Sequence, residues 1–471
     1  MIKFGTGGWR SIIGDEFIKS NIQLLSKAIC IKMKKEGVEN KGIVIGYDRR
    51  FLAKEAMCWA GQVFAQEGIH AKLINYSVPT PVTMFFVMKQ ELPYGMMITA
   101  SHNPAIYNGI KVFTSGGRDA NELQTGQIEA IISKIQEEEV LEMEYEEAIE
   151  RRLIEEIYPL NEYLDNIISC INMKAIRDAR LKVALDPLYG VSELSLKTIL
   201  LTARCQLETI HDNHDTLFGG QLPAPCEETV RNLQTFVVDK HCDIGLATDG
   251  DADRLGVIDD TGRFLHPNDI LVLLYYYLIH YKGWRGPVVR NVATTHRLDL
   301  LAKKFGEDSY EVPVGFKYIS AKMQEKDAVL GGESSGGLTV RGHILGKDGV
   351  YAASLLVEMV AITGYRLSEL MNKIEDEFGT SYMEERDYRF TKEKKDQIWE
   401  QIEEKKELPE FPLEIEKVSY LDGSKVYFKN GGWIIARFSG TEPLLRIFCE
   451  MPEKKDAIII CKLYEEFLNL D

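Results

Sequence analysis

Long apolar runs are missing from this sequence. The longest, "ILVLLYYYLI" from Ile270 to Ile279, has ten residues, about half of the roughly twenty that a membrane span requires, and it reads as a buried core helix. No C-x-x-C pair occurs. The eight cysteines (30, 58, 170, 205, 226, 242, 449 and 461) are scattered, a pattern of reduced thiols and not of a disulfide frame. Basic charge is scarce: 56 Lys and Arg against 72 Asp and Glu leave a formal net charge of -16, which argues against broad binding to nucleic acid or an anionic membrane. A small anionic ligand stays open, given a local cluster of basic residues. The first ten residues, "MIKFGTGGWR", contain no apolar h-region, so the expectation is a cytoplasmic protein without a signal peptide. No Walker A sequence occurs, and "GTGGWR" misses the dinucleotide pattern because Arg10 stands where the last glycine should be. An ATP-driven kinase is therefore disfavoured.

What is present is an ordinary globular composition, 45% hydrophobic and 27% charged, spread over 471 residues. That length exceeds a single core and predicts three or four domains. The first third alternates strand and helix signals. "KGIVIGYDRR" reads as a strand with a polar exit, "LAKEAMCWAGQVFAQEG" has helical spacing up to Gly68, and "HAKLIN" is another strand. Such alternation predicts βαβ units. An acidic stretch over residues 125–165 reads as a solvated helix plus linker, with a boundary near 150–160. "LKVALDPLYG" opens a second α/β unit, "HPNDILVLLYYYL" begins a third, and a charged helix in "YRFTKEKKDQIWEQIEEKKE" leads to a small C-terminal domain.

Four loops carry chemistry. In "TASHNP", Ser101 sits beside His102 between two strand-like runs. In "ATDGDADRLGVI", Asp249, Asp251 and Asp253 alternate; a locally extended loop points alternate side chains the same way, and three converging carboxylates call for a hard cation such as Mg²⁺ or Ca²⁺. It is not an EF-hand, since Arg254 and Asp260 occupy the positions that need glycine and glutamate. "GGESSGG" contains a literal G-x-S-x-G at Gly332, Ser334 and Gly336, but β-rich sequence follows where a nucleophile elbow needs a helix. A loop that brings backbone and Glu333 to a polyol fits better. "ARFSGTEPLLRIF" offers Arg437, Ser439, Gly440, Thr441 and Arg446 to a dianionic phosphate. The glycine-rich "FGTGGWR" delivers Arg10 in the same way.

With these loops in this order, the whole chain resembles the α-D-phosphohexomutase superfamily, the phosphoglucomutases and phosphomannomutases. "TASHNP" is similar to the family's phosphoserine loop, "DGDADR" to its metal loop, "GESSGG" to its sugar loop and "RFSGTEP" to its phosphate loop. The resemblance implies an α/β fold of four domains around a central cleft: three of one topology (1–155, 156–262 and 263–378) and a smaller α+β domain (379–471). It implies that Ser101 carries a phosphoryl group, with Mg²⁺ bound by Asp249, Asp251, Asp253 and an oxygen on Ser101. Positive charge for a loose phosphoryl-transfer transition state would come from Arg254, Lys111 and His102. Lys111 of "YNGIK" is the expected general acid/base, assisted by His102. Phosphate binding falls to Arg10, Lys317 of "VPVGFKYI", Arg437, Ser439, Gly440, Thr441 and Arg446.

The implied reaction passes through an enzyme-bound hexose 1,6-bisphosphate that turns over in the cleft, so glucose 1,6-bisphosphate would activate the dephospho-enzyme. Sugar contacts are expected from Glu333, Ser335, His343 and Lys347. "HILGKDG" resembles the glucose-preferring branch, while Gly337 and Ser334 depart from the residues other branches carry. The expected activity is thus interconversion of glucose 1-phosphate and glucose 6-phosphate. Phosphomannomutase or dual specificity comes next, then a glucosamine phosphate mutase. A metal-dependent phosphatase or an inactive sugar-phosphate sensor are the remaining classes. The expected partner is a phosphorylated hexose, with no nucleic acid and no membrane, and the chain would act as a monomer or homodimer.

Overall fold

The structure is a computed structural model that describes residues 2–5, 7–438 and 444–470. Its first sheet begins with buried apolar strands. "IVIGY" (Ile43–Tyr47) and "YGMMI" (Tyr94–Ile98) are buried along their whole length, as expected of parallel strands covered on both faces. Ile43–Tyr47 lies in the middle, with Ala71–Ile74 parallel on one side and Tyr94–Ile98 parallel on the other. The chain then turns back as Tyr107–Thr114, antiparallel to Tyr94–Ile98. Helix Ala53–Gln66 buries Ala53, Ala56, Met57, Ala60 and Phe64, a helical apolar stripe that covers the sheet.

The same plan recurs twice. In the second unit Lys182–Asp186 lies between Gln206–Thr209 and Ile244–Thr248, both parallel to it, and Leu255–Ile258 returns antiparallel. In the third, Val288–Asn291 lies between Ser309–Val312 and Leu330–Gly332, and Leu338–Val340 returns antiparallel. Three loops therefore occupy one topological position, between the last parallel strand and its antiparallel return: residues 99–106, 249–254 and 333–337. These are the serine, aspartate and glutamate loops. Ligand sites in open α/β sheets gather at the carboxyl ends of parallel strands.

The fourth unit differs. Five antiparallel strands run in the order Tyr382–Arg389, Leu444–Met451, Trp433–Phe438, Ser424–Phe428 and Ile415–Ser419. Its Tyr427, Trp433, Ile435 and Phe448 pack against Val292 and Ala293 of the third unit. The buried Lys425 donates from Nζ to the Val292 carbonyl at 2.6 Å and to Glu311 at 2.7 Å.

Two local expectations change. The acidic stretch is broken into helices Glu122–Ile132, Tyr145–Glu150 and Leu160–Cys170, with a strand, Ile154–Ile157, that pairs parallel with Ala71–Ile74 in the first sheet. Ile154 is buried while Glu155 and Glu156 are exposed, so edge pairing outweighs the helix propensity of glutamate. The "YR" that opens the charged C-terminal stretch belongs to the strand Tyr382–Arg389, and the helix starts after the Thr391 cap. The ten-residue apolar run lies in helix Pro267–Tyr276 and the π turn after it, buried from Ile270 to Ile279. Among the described residues no single helix is long and apolar enough to cross a membrane.

Candidate active site

Ser101 is 1% exposed and sits at φ 53, in the left-handed region. A non-glycine residue there costs on the order of 1–3 kcal/mol and persists only where its surroundings impose it. The imposition is visible: Thr99 Oγ1 accepts from the Ser101 N–H at 2.8 Å and donates to the buried Asp48 carboxylate. The result aims the Ser101 hydroxyl at Asp249 Oδ2, 2.8 Å away. Across the gap, Gly250 is required by close approach, since a Cβ there would lie 2.9 Å from the Ser101 carbonyl oxygen.

The aspartate loop is not extended. Ala252 sits at φ 59 and its N–H closes a turn on the Asp249 carbonyl at 3.0 Å. The N–H groups of Asp253 and Arg254 both donate to Asp249 Oδ1 at 3.0 Å. Convergence thus comes from a wound loop, and the three carboxylates offer oxygens within 4.8 Å of one another. Lys111 Nζ donates to Asp251 Oδ2 and Asp253 Oδ2, each at 2.6 Å, and Lys347 reaches Asp253 Oδ2 at 2.8 Å. Thr80 Oγ1 donates to Asp251 Oδ2 at 2.5 Å.

Electrostatics follow from this packing. Burial first, then the charges of Asp251 and Asp253, pushes the Asp249 carboxyl well above its ordinary range. Asp253 goes the other way: burial opposes its charge, but Lys111, Lys347 and Arg254 hold it well below the usual carboxylate value. Burial also works against the Lys111 ammonium, yet Asp251 and Asp253 outweigh it and raise its pKa. Lys111 is therefore held charged. His102 is driven well below the ordinary imidazole value by burial and then by Arg254 and Arg10, so it is neutral, with Nδ1 3.4 Å from Ser101 Oγ.

These residues fit a hard divalent cation. Among the described residues, Oδ1 of Asp251 and Oδ1 of Asp253 are buried without any hydrogen-bond partner, although their Oδ2 atoms are taken by lysines. Buried acceptors left without donors are rare in folded proteins, and an all-carboxylate oxygen set matches Mg²⁺ chemistry.

Of the other candidate residues, Arg10 donates from Nη1 to Asn103 Oδ1 at 2.7 Å, inside the serine loop. Lys317 lines one cavity with Lys111, Gly7, Gly8 and Asp119, and pairs with Glu122 at 2.7 Å. Glu333 is held by the Gly315 N–H at 3.2 Å and Asn291 Nδ2 at 3.4 Å, while Ser335 is exposed beside it. The Arg254–Gly337 bridge ties the glutamate loop to the aspartate loop. Arg437 and Arg446 face each other across neighbouring strands of the fourth sheet; they bond to Asp422 at 2.9 Å and Asp387 at 3.4 Å, not to any residue of the three loops. Ser439, Gly440 and Thr441 lie outside the described residues.

His343 departs from expectation. Its side chain is fully buried, with Nε2 2.6 Å from Asp348 Oδ2 and Nδ1 3.0 Å from Asn166 Nδ2, and its ring lies among Phe85, Tyr163 and Tyr351. It is not brought to the sugar loop. The "H-I-x-x-K-D-G" segment is instead a brace. Asp348 caps helix Gly349–Thr363, Lys347 reaches Asp253, and Gly349 has no Cβ to strike the Arg254 carbonyl oxygen, which would lie 2.6 Å away.

One residue escaped the sequence reading. Arg50, at the polar exit of the first central strand, is 3% exposed. It donates to four carbonyls of the serine loop and its exit: Ser101 and Asn103 at 2.6 Å, Pro104 and Tyr107 at 2.9 Å. The only signal was "DRR" after an apolar strand, too weak to distinguish a clamp from a solvated end. Arg50→Lys keeps the charge but loses the planar fork. Misplacing the serine by a fraction of an ångström is expected to lower kcat roughly ten- to hundred-fold while KM for the sugar phosphate changes little. Steady-state kinetics checks this, and an unchanged kcat contradicts it.

Comparison with known proteins identifies the family. Family profiles described as phosphoglucomutase/phosphomannomutase alpha/beta/alpha domains I, II and III and C-terminal domain match residues 1–139, 161–262, 266–378 and 389–458. The "Phosphoglucomutase/phosphomannomutase" of Thermococcus kodakarensis is 28% identical over 96% of this chain and 95% of its own. The "Probable phosphoglucosamine mutase" of Methanobrevibacter smithii is 30% identical over the same shares, 96% and 95%. A solved structure of a phosphomannomutase-type protein from Thermus thermophilus matches with a TM-score of 0.84 at 28% identity, covering 99% of each chain. The chain therefore belongs to the phosphoglucomutase/phosphomannomutase family and is a phosphohexomutase, an enzyme of the isomerase class.

Proposed function

We propose that this phosphohexomutase interconverts the 1- and 6-phosphates of a gluco-configured hexose, glucose first, through a phosphorylated Ser101 and a bound hexose 1,6-bisphosphate. The observation that carries the reading is the strained, buried Ser101 hydroxyl aimed at the aspartate trio at 2.8 Å. In the first half-reaction the bond between phosphorus and Ser101 Oγ breaks while a bond forms to the free sugar hydroxyl. That hydroxyl's proton passes to a neighbouring base, and neutral His102 is the group in reach. The Lys111 ammonium offers positive charge to the transferring phosphoryl group and acts as donor, not base, since Asp251 and Asp253 hold it charged. After the bisphosphate reorients, its second phosphate returns to Ser101 and the proton steps reverse. Asp249, Asp251 and Asp253 would hold Mg²⁺, which when bound supplies positive charge against the phosphate oxygens. Glu333, an acceptor-only side chain, suits equatorial hydroxyls, and Arg10, Lys317, Arg437 and Arg446 are proposed for the distal phosphate, with Ser439, Gly440 and Thr441.

Glucosamine phosphate is the second reading. Burial of His343 removes one reason for preferring glucose, and Asp119 lines the same cavity as Lys111 and Lys317, a carboxylate suited to a 2-ammonium group. The test is a coupled assay on glucose 1-phosphate, glucosamine 1-phosphate and mannose 1-phosphate, with Mg²⁺ and a trace of the matching 1,6-bisphosphate. Highest kcat/KM on glucose 1-phosphate, with dependence on bisphosphate, is the expected result. A higher value on the amino sugar selects the second reading, and preference for mannose rules out both.

A further inference from the structure

Where the third unit meets the fourth lies a cavity of about 260 Å³ that shares no lining residue with the cleft containing Lys111. Three buried donors on its lining residues have no hydrogen-bond partner among the described residues: Nε and Nη2 of Arg297, and Nδ2 of Asn268. The two residues are only 6% and 5% exposed. Arg297 Nη1 is already committed to Asp269 Oδ1 at 2.9 Å, so the unpaired atoms form the side-on edge of the guanidinium. Arg290, in the same unit, shows what that edge takes: its Nε and Nη2 hold the two oxygens of Asp299 at 2.9 and 2.5 Å. A buried charged donor without an acceptor is costly. Helices Pro267–Tyr276 and Arg297–Phe305 both begin at this wall, and their positive ends add to the attraction for an anion.

The acidic residues of the cavity divide into two groups. Glu450 is saturated, with Oε1 accepting from Thr295 and Ser381 and Oε2 from the His296 N–H and Trp433. Asp269 is held by Arg297. Glu375 and Glu384, the latter 3.9 Å from Arg386 Nη2, remain as hydrogen-bond acceptors on a lining that also carries Arg263, His266 and Lys454. An unfilled carboxylate fork on Arg297 thus lies at a cavity whose lining also offers carboxylate acceptors.

We propose that this joint binds a small zwitterion of the amino-acid class, its carboxylate on the Arg297 Nε/Nη2 edge and Asn268 Nδ2, its ammonium toward Glu375 and Glu384. Because Glu384 and Glu450 lie on strands of the sheet that also carries Arg437 and Arg446, such a ligand would bridge the phosphate-binding unit to the third unit.

The test is calorimetric titration of the full-length protein with L-norvaline, pentanoate and butylamine at matched ionic strength. Norvaline is expected to bind best, pentanoate more weakly and butylamine not measurably. Arg297→Lys keeps a cation for Asp269 but removes the fork, and is expected to weaken norvaline about ten-fold or more. Asn268→Asp retains the oxygen that accepts the Thr295 N–H and replaces the free donor by a repelling oxygen, giving a second loss should the arginine variant fold poorly. Failure of wild-type protein to bind norvaline, or equal binding by Asn268→Asp, overturns the proposal. Equal affinity for pentanoate and norvaline overturns the ammonium half.

Discussion

Ser101→Ala is expected to lower turnover by about four orders of magnitude or more, because no other side chain can accept and return the phosphoryl group. The loss is chemical, not structural. Alanine adopts φ 53 no less readily than serine, and the loop is held by Arg50, Thr99 and Asp48, none of which uses the Ser101 hydroxyl. Only the bond to Asp249 and the longer contact with His102 Nδ1 disappear. Binding of the hexose monophosphate, measured calorimetrically, should stay within about three-fold of wild type, since that contact is not made to substrate. Undiminished turnover would remove Ser101 from the mechanism.

Asp251→Asn is expected to raise the Mg²⁺ concentration needed for half-maximal activity by about a hundred-fold and to lower kcat as well. The argument rests on which oxygen is free. Oδ2 of Asp251 accepts from both Lys111 and Thr80, and Oδ1 is buried and unpartnered. An amide can satisfy only one side. If its oxygen keeps Lys111 and Thr80, its NH₂ points to the cation position; if it turns over, NH₂ confronts the Lys111 ammonium. Either orientation puts donors where acceptors are needed. Activity against Mg²⁺ concentration, with Mg²⁺ titrated calorimetrically into the same variant, checks the expectation. Wild-type activity of the variant in the presence of a chelator would refute a metal role for the trio.

How much of this was legible in the sequence depends on how far apart the cooperating residues lie. "TASHNP", "DGDADR" and "GESSGG" could be read because each packs its distinctive residues into one short loop, and the repeated strand–loop–strand plan of the fold brings all three loops to equivalent positions. The shape of the aspartate loop could not be read: alternation suggested an extended chain, whereas Ala252 in the left-handed region winds it. Partners far away in the chain were also hidden. Thr80 lies 171 residues from Asp251, and Arg50 51 residues from Ser101; no local pattern announces either contact. His343 is the reverse case. A histidine beside "KDG" resembled a ligand-binding group, but Tyr163 and Asn166, from a helix of the second unit, enclose it with Asp348. In the acidic stretch after residue 125, glutamate content suggested helix, and pairing of Ile154–Ile157 with a buried strand decided otherwise.

The measurement that tests the central claim most directly is mass spectrometry of the protein after exposure to hexose 1,6-bisphosphate and Mg²⁺, followed by addition of excess hexose monophosphate. The account predicts one phosphoryl group per chain, located at Ser101, which is lost to the sugar on the second addition. Phosphorylation elsewhere, or a Ser101 phosphate that the monophosphate cannot remove, would contradict it.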